Sequence, residues 1–298
     1  AVATNFGTVE NIINNAEVTC VNPDDTLAQS RAAIVGYNAI GAYVKGCINN
    51  APVTFDLGNH SAQTGYLGTV IGRATSSADA ALLELPAGLY NCENHGKLTV
   101  NILDEKTTKN FYIGGVSGSA NSYTVTINCK NTADITWNCP YSGAAVVFGG
   151  VVSYSAGKID NCHNEGNILF NNTGNIKGTC IGGIVCYQNG SITNCTNKGN
   201  ITAYGKKFEG RNTIGSIDAG TNSTSSPAPN FAGIVALGYN STGSPFAIDN
   251  CINYGNISYY WSEMDGSGTS GRTQLAGVIC APCGDVTNCQ NYGDIVFE

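Results

Sequence analysis

The chain has 298 residues, of which 42% are hydrophobic and only 12% charged. This apolar content argues against a disordered chain. The length exceeds that of a usual single domain, but a repeat architecture allows it because each unit packs only against its neighbours. A net charge of -7 with 14 Lys and Arg residues gives no basic stripe, which argues against nucleic acid and anionic membrane surfaces as partners. No apolar run approaches the roughly 18 residues that span a bilayer, so no membrane insertion is expected.

One pattern of residues recurs along the chain, and residues 181–201 (IGGIVCYQNGSITNCTNKGNI) show it most completely. It consists of Gly-Gly-Ile-Val, a turn, and then Asn-Cys-x-Asn-x-Gly-x-Ile. One position of the pattern is filled, in chain order, by Ile12, Cys47, Cys92, Cys129, Cys162, Cys195, Cys251 and Cys289. These positions are 35, 45, 37, 33, 33, 56 and 38 residues apart. A short basal period with insertions is typical of a solenoid.

Short β-branched runs punctuated by Gly and Asn are typical of strands and corners, not of helices. Each unit supplies about three short strands, which stack in parallel on those of the next unit. Because parallel connections are right-handed by strong preference, we predict an all-β fold, a right-handed parallel β-helix of about eight coils. At ~4.8 Å a coil the body is roughly 40 Å long. It forms a single domain over residues 1–298, with insertions at about 54–66, 203–230 and 258–274.

The corner residues of the repeat have a physical role. Asn and Gly tolerate the left-handed backbone region that a tight corner demands. Repeated Asn side chains can also hydrogen-bond to the coils above and below, so Asn194, Asn197 and their equivalents are expected to form ladders. The pair Gly182-Gly183 is expected to relieve crowding at a bend, because no helix N-terminus follows it to bind phosphate.

Thirteen cysteines suggest at first a secreted disulfide framework, but seven occupy the position that Ile12 fills in the first unit. A site that accepts Ile or Cys is a small buried apolar site. We therefore expect mostly reduced, buried thiols, which do not identify the compartment. The CxxC motif Cys280-Ala-Pro-Cys283 has no second CxxC or His pair, which favours a structural role, with a local disulfide as the alternative. No metal and no cofactor are expected.

The Gly-Gly-Ile-Val and Asn-Cys-x-Asn-x-Gly-x-Ile pattern resembles the GLUG-type repeats of bacterial cell-surface and secreted proteins, which include adhesins of gut anaerobes. The resemblance covers about residues 5–297. It implies an extracellular or surface-attached right-handed β-helix, and it carries over no catalytic residue. Ala16, Ala33 and Thr69 depart from the pattern at its glycine positions.

Function on a solenoid is expected where the repeat is broken, since insertions form exposed loops. The insertion at 203–230 is polar, and the one at 258–274 contains Tyr259, Tyr260, Trp261, Asp265 and Arg272. Such aromatic and charged residues can stack on a sugar ring and bind its hydroxyl groups. The leading hypothesis is therefore a non-catalytic protein for adhesion or glycan binding, with a glycan or a host or neighbouring surface protein as partner. The alternative is that the aromatic residues only cover the flank of the coil.

Two other classes of function stay open, a polysaccharide-degrading enzyme and a purely structural spacer. An enzyme needs paired carboxylates or a base, and the available sets are Glu263 with Asp265, and Asp104 with Glu105 and Lys106. Such pairs arise by chance among 21 acidic residues, so we predict no catalytic residue.

The histidines and the chain ends complete the predictions. His95 and His163 lie at loosely held positions of the repeat and are expected to face solvent. Residues 20–31 are expected to fold over the first coil, since open strand edges of a β-helix promote association. The edge after Phe297-Glu298 is expected to contact further sequence or a partner, end to end or edge to edge.

Overall fold

A computed structural model describes residues 2–24, 29–59, 64–77, 86–103, 110–121, 123–140, 145–174, 179–205, 229–238, 246–261, 274–281 and 284–298. Throughout these residues the regular structure is β-strand, and the strands wind into a right-handed parallel β-helix of eight coils, as predicted. No helix in these segments could cross a membrane.

Within the described residues, the first coil has four strands and each later coil has five. Coil 1 contains β1 (Val2–Asn5), β2 (Thr8–Glu10), β3 (Ile13–Asn14) and β4 (Val18–Asp24). Coil 2 contains β5 (Gln29–Arg31), β6 (Val35–Asn38), β7 (Tyr43–Lys45), β8 (Ile48–Asn49) and β9 (Val53–Asn59). Coil 3 contains β10 (Gly65–Gly68), β11 (Ile71–Ala74), β12 (Gly88–Tyr90), β13 (Glu93–Asn94) and β14 (Leu98–Ile102). Coil 4 contains β15 (Asn110–Gly114), β16 (Ser117–Ala120), β17 (Val125–Ile127), β18 (Lys130–Asn131) and β19 (Ile135–Cys139).

The second half of the solenoid repeats the same order. Coil 5 contains β20 (Ala145–Gly149), β21 (Val152–Ser155), β22 (Ile159–Asp160), β23 (His163–Asn164) and β24 (Ile168–Asn172). Coil 6 contains β25 (Thr179–Gly182), β26 (Val185–Gln188), β27 (Ser191–Thr193), β28 (Thr196–Asn197) and β29 (Ile201–Gly205). Coil 7 contains β30 (Asn230–Ala232), β31 (Val235–Gly238), β32 (Ala247–Asp249), β33 (Ile252–Asn253) and β34 (Ile257–Trp261). Coil 8 contains β35 (Gln274–Ala276), β36 (Ile279–Ala281), β37 (Asp285–Thr287), β38 (Gln290–Asn291) and β39 (Ile295–Phe297).

Strands at equivalent positions stack into five parallel sheets in the described part of the chain. In coil order these are sheet 1 (β5, β10, β15, β20, β25, β30, β35), sheet 2 (β1, β6, β11, β16, β21, β26, β31, β36), sheet 3 (β2, β7, β12, β17, β22, β27, β32, β37), sheet 4 (β3, β8, β13, β18, β23, β28, β33, β38) and sheet 5 (β4, β9, β14, β19, β24, β29, β34, β39). Ile168 pairs with Ile201, and Ile201 pairs with Ile257 across the long insertion. An insertion therefore leaves the register unchanged.

The five strands per coil differ from the three predicted, because two bends divide the predicted strands. Asn194 has φ 57°, and the equivalent residue is left-handed in every coil: Asn11, Gly46, Asn91, Asn128, Asn161, Asn250 and Asn288. This corner separates sheet 3 from sheet 4. At the Gly182-Gly183 bend, which separates sheet 1 from sheet 2, a Cβ on Gly183 would lie 2.5 Å from Cγ of Asn197. Glycine is needed there for close packing, as predicted.

The interior holds one continuous apolar core. Trp137 is fully buried, with its ring stacked on Phe170 at 6.2 Å and edge-on to Phe148 at 6.3 Å. The repeat cysteines of coils 2 to 7, from Cys47 to Cys251, are each 0% exposed. Ile12 at the same position is 41% exposed because it lies in the outermost coil.

An asparagine ladder runs along the face of sheet 4 that points into the coil. The Nδ2 group of each ladder asparagine donates to Oδ1 of the next, at 2.7–2.8 Å, in the order Asn14, Asn49, Asn94, Asn131, Asn164, Asn197, Asn253 and Asn291. The six from Asn49 to Asn253 are 0% exposed. Buried amides need hydrogen-bond partners, and here each coil supplies them to the next. The predicted ladder of Asn197 is confirmed.

The predicted cover over the first coil is wrong for the described residues. Val18 pairs with Val53 through β4 and β9, and Gln29 pairs with Gly65 through β5 and β10. These residues continue the solenoid because they supply its ordinary strand positions, while residues 25–28 lie outside the described segments.

Candidate binding faces

The outward face of sheet 5 carries a column of polar and aromatic side chains, here called the amide–tyrosine row. In register from coil 2 to coil 7 it contains Asp56, Asn101, Asn138, Asn171, Tyr204 and Tyr260. Asn101 donates to Asp56 at 2.7 Å, Asn138 to Asn101 at 2.8 Å and Asn171 to Asn138 at 3.5 Å. The row thus presents ordered amides that lead to two tyrosines.

The tyrosines at the end of this row form a stacked pair. The ring centroids of Tyr204 and Tyr260 are 5.2 Å apart, with an interplanar angle of 18°. Each ring therefore covers one face of the other, and Tyr204 is still 44% exposed. The first residues of the predicted insertions at 203–230 and 258–274 still belong to strands, since β29 ends at Gly205 and β34 ends at Trp261. The pair lies at the base of both insertions, most of whose residues (206–228 and 262–273) are outside the described segments.

The structure separates the residues predicted to bind a ligand. Tyr260 faces outward in the row, whereas Tyr259 is 0% exposed and packs in the core with its ring 4.8 Å from that of Phe231. Burial raises the pKa of the Tyr259 hydroxyl well above its usual range. The prediction that Tyr259 contributes to a ligand-binding surface is therefore wrong. The backbone of Trp261 pairs with Gly205, while the Trp261 side chain lies outside the described structure.

The remaining two residues of that prediction, Asp265 and Arg272, also lie outside the described segments, so ligand binding by this loop stays a prediction.

Two of the described carboxyl groups have pKa values that are lowered by their hydrogen-bond partners. Hydrogen bonds from Lys130 lower the pKa of Glu165, and a hydrogen bond from Thr287 lowers that of Asp249. At neutral pH a general acid needs a raised pKa, so these groups do not fit that role. The candidate sets Glu263 with Asp265, and Asp104 with its two neighbours, lie outside the described segments. Among the described residues no group of three His, Cys, Asp or Glu side chains could hold a metal.

The histidine positions follow the prediction in part. His95 is exposed, with Nδ1 2.7 Å from Oγ1 of Thr132 and Nε2 2.9 Å from the carboxylate of Glu93. His163 is half-buried, and this burial, followed by repulsion from Lys130 and Lys198, lowers its pKa.

Sheet 4 carries an outward face that sequence reasoning missed, here called the sheet 4 strip. It comprises the two x residues of the Cys-x-Asn-x-Gly pattern, one between the buried Cys and Asn and one directly after the Asn. In the repeat these residues are half-buried or exposed, so they lie on the outside of the coil. In coils 4 to 6 the strip contains a depression of about 230 Å³ lined by Lys130, His163, Glu165, Thr196 and Lys198. In coils 7 and 8 it carries the stacked rings of Tyr254 and Tyr292, 5.1 Å apart. The sequence did contain an indication of this face: the amino acid at the x positions varies from unit to unit, and charged and aromatic residues in later coils replace Ile48 and Asn50 of coil 2.

Ten described cysteines are free, and most of the repeat thiols are fully buried, as predicted. The Sγ of Cys162 donates to the carbonyl of Asp160 at 3.4 Å, and the equivalent bond of Cys195 to Thr193 is 3.1 Å. Burial raises the pKa of both thiols well above the usual range. Free thiols with raised pKa values are poor nucleophiles.

One disulfide was not predicted. It joins Cys180 of β25 to Cys186 of β26, so it bridges sheets 1 and 2 on the outside of the Gly182-Gly183 bend. Cys280 occupies the same column as Cys186, as predicted, and its Sγ donates to the carbonyl of Phe231 at 3.2 Å. Cys280 is free in the structure, and its CxxC partner Cys283 lies outside the described segments.

The outer seam between sheets 1 and 2 has its own apolar cluster, which includes Val147, Leu237 and the disulfide cysteines. Four half-buried tyrosines continue along it: Tyr66, Tyr112, Tyr154 and Tyr187, with successive centroids 5.2, 6.0 and 4.9 Å apart. The guanidinium of Arg73 lies 4.7 Å from the Tyr66 ring centroid. Because these rings pack on one another, we interpret the seam as a second, smaller apolar cluster that stabilises the fold.

The comparisons with known proteins identify the repeat. The family model of the GLUG motif matches residues 177–202, a range that includes β25 to β28 of coil 6 and the start of β29. The chain therefore carries a GLUG motif within a parallel β-solenoid. Comparisons with curated proteins and with solved structures found no match.

Proposed function

We propose that this chain is a non-catalytic protein of the bacterial cell surface or extracellular space that binds a glycan, or a neighbouring surface that displays one. We place the binding site on the outward face of sheet 5 and propose that residues of the insertions at 203–230 and 258–274 contribute to it. The observation that carries the proposal is the stacked pair Tyr204–Tyr260, which ends a row of ordered amides at the base of both insertions.

The chemistry of this flank suits a sugar. Tyrosine combines an apolar ring with a hydroxyl group, which matches a pyranose with apolar and hydroxylated surfaces. The amides of Asn138 and Asn171 supply both donors and acceptors beside the pair.

The disulfide supports the proposed location. Disulfides persist in oxidising compartments such as the extracellular space and the periplasm. Cys180–Cys186 bridges the outer seam, whereas the repeat thiols are inside the coil, where burial raises their pKa values. An oxidising environment would therefore leave the interior thiols unchanged.

A glycan array tests the proposal with the wild-type chain, the double variant Tyr204→Ala/Tyr260→Ala and the variant Trp261→Ala. Phe6→Ala is the matched control, since Phe6 is an aromatic residue in coil 1 that is 81% exposed. We expect the wild type to bind at least one glycan, the tyrosine and tryptophan variants to lose about tenfold in affinity, which is ~1.4 kcal/mol, and Phe6→Ala to bind normally.

No signal on any glycan, or an equal loss in Phe6→Ala, would overturn the proposal. Incubation of the bound glycan with the wild-type chain, followed by an assay for new reducing ends, separates binding from the alternative of a polysaccharide-degrading enzyme.

A further inference from the structure

The sheet 4 strip contains a cation pair held by a single carboxylate. The Lys130 ammonium lies 3.0 Å from Oε2 of Glu165, and the Lys198 ammonium lies 3.3 Å from Oε1 of the same residue. The three residues come from three successive coils, 4, 5 and 6. Since one carboxylate faces two ammonium groups, the depression has a net positive charge in a chain whose net charge is -7.

This depression has hydrogen-bonding capacity left for a ligand. An ammonium has three N–H donors, of which Glu165 takes one from each lysine. Thr196 adds a hydroxyl group, and His163 adds an imidazole ring, to the lining. The side chain of Lys198 is 58% exposed and that of Lys130 35%, so an incoming anion reaches both.

The size of the depression limits what it can hold. Its volume of about 230 Å³ is below the roughly 300–1,000 Å³ of pockets for drug-sized ligands. It therefore fits one anionic substituent of a larger molecule that continues along the strip. In the next two coils, 7 and 8, the strip continues with Tyr254, 47% exposed, and Tyr292, 64% exposed. From Lys130 in coil 4 to Tyr292 in coil 8 is four steps of ~4.8 Å, roughly 19 Å.

We propose that the sheet 4 strip is a second binding site, which takes an acidic polysaccharide: Lys130 and Lys198 bind a carboxylate or sulfate ester, and Tyr254 and Tyr292 contact the neighbouring sugar residues. Ammonium groups form strong charge-assisted hydrogen bonds with such anions. Exposed tyrosines supply apolar contact and a hydroxyl group to the sugar. The site is built from sheet 4 and from the residue that directly follows each of its strands, and it shares no residue with the amide–tyrosine row of sheet 5.

The strip suits a sparsely charged polymer better than a nucleic acid. A nucleic acid carries a phosphate at every nucleotide and is bound by many cations along a stripe. Here the cations are two lysines in coils 4 and 6, and the columns continue with uncharged Ile252, Tyr254, Gln290 and Tyr292. One anionic group every few sugar residues matches this spacing of charge.

Biolayer interferometry tests the site with immobilised polygalacturonate as the carboxylate probe and heparin as the sulfate-ester probe. Dextran serves as the neutral polymer and a short DNA duplex as the polyphosphate. The test variant is Lys130→Gln/Lys198→Gln, and the matched control is Lys45→Gln/Lys158→Gln. The control removes the same charge elsewhere: Lys45 is exposed in β7 of sheet 3, and Lys158, directly before β22, is paired with Asp160 at 3.0 Å. Both variants replace surface side chains, and circular dichroism checks that they fold.

We expect the wild type to bind at least one acidic polymer and not dextran, and Lys130→Gln/Lys198→Gln to lose at least about tenfold in affinity, which is ~1.4 kcal/mol. The control should stay within about twofold of the wild type. The variant Glu165→Gln should bind more tightly, because it removes the carboxylate that competes for both lysines.

Three results would overturn the proposal: binding of neither acidic polymer, equal losses in the two double-lysine variants, or DNA binding as tight as that of the polysaccharide. Tyr204→Ala/Tyr260→Ala separates this site from the sheet 5 flank. If that variant alone abolished binding of the acidic polymer, the ligand would lie on sheet 5 and the sheet 4 assignment would be wrong. If it left acidic binding unchanged while no glycan bound the sheet 5 flank, the sheet 4 site would stand without the proposed function.

Discussion

The substitution Asn164→Ala in the middle of the interior ladder should be among the most destabilising single changes in the chain. Asn164 is 0% exposed, accepts from Asn131 at 2.8 Å and donates to Asn197 at 2.8 Å and to the carbonyl of Gly166 at 2.9 Å. Three hydrogen bonds at about 1 kcal/mol each give ~3 kcal/mol, and buried partners left unpaired raise the cost to about 3–5 kcal/mol. That is a large share of the roughly 5–15 kcal/mol that stabilise a native protein.

Urea unfolding followed by far-UV circular dichroism measures this cost, provided that the variants share one m-value. Asn14→Ala is the matched control, because Asn14 donates to Asn49 at 2.7 Å from the outermost coil, where water can replace the lost bond. We expect it to cost less than about 1 kcal/mol. If Asn164→Ala cost no more than Asn14→Ala, the ladder would not stabilise the stack, and the assignment of its energy to buried amides would be refuted.

Two further predictions concern the corner and the thiols. Because Asn194 holds φ 57°, Asn194→Val should be about 1–2 kcal/mol less stable than Asn194→Gly in the same urea assay; equal stability of the two would contradict a backbone role for this corner. Because the Cys162 thiol is 0% exposed and burial raises its pKa, iodoacetamide should label it only after denaturation, as mass spectrometry can show. Equally fast labelling of the native and the unfolded chain would contradict its place in the core.

The solenoid could be predicted from the sequence because stacking makes equivalent positions face identical surroundings. Cys129, Cys162 and Cys195 recur at 33-residue steps, and each accepts at its carbonyl from the residue after the cysteine of the next coil. The asparagine of each coil is likewise in register with the next, even where 56 residues separate Asn197 from Asn253. Insertions change the spacing along the chain but not the position in the coil, so the pattern survives them.

The number of strands was harder to predict. A single left-handed residue divides one extended segment into two strands, and the amino-acid composition of the segment does not show whether this division occurs. Asn194 could be recognised as a corner, but not as the boundary between two separate sheets. The disulfide joins Cys180 to Cys186, which lie on the outside of the coil on either side of a bend. The angle of this bend determines whether their sulfur atoms come within bonding distance. Spacing alone gave no such signal.

The placement of Tyr259 and Tyr260 could have been predicted from strand alternation. Ile257 is in register with Ile201 in the core, so position 259 must point inward and position 260 outward. Adjacent aromatic residues were interpreted as one surface because they are neighbours in sequence. In a strand, neighbours in sequence face opposite sides, and the neighbours in space lie one coil away.

The same geometry explains why the sheet 4 strip escaped notice. Lys130, Glu165 and Lys198 form one ionic group, yet 35 and 33 residues separate successive members of it. Each is an x residue of the Cys-x-Asn-x-Gly pattern, next to a buried cysteine or asparagine. Its side chain lies outside the core, so the stacking of the coils does not depend on which amino acid is present there. Charge and aromatic residues can therefore accumulate there without disturbing the core. In this solenoid, binding surfaces have to be sought by comparing equivalent positions of successive coils, since the sequence within one coil shows only one side chain of each group.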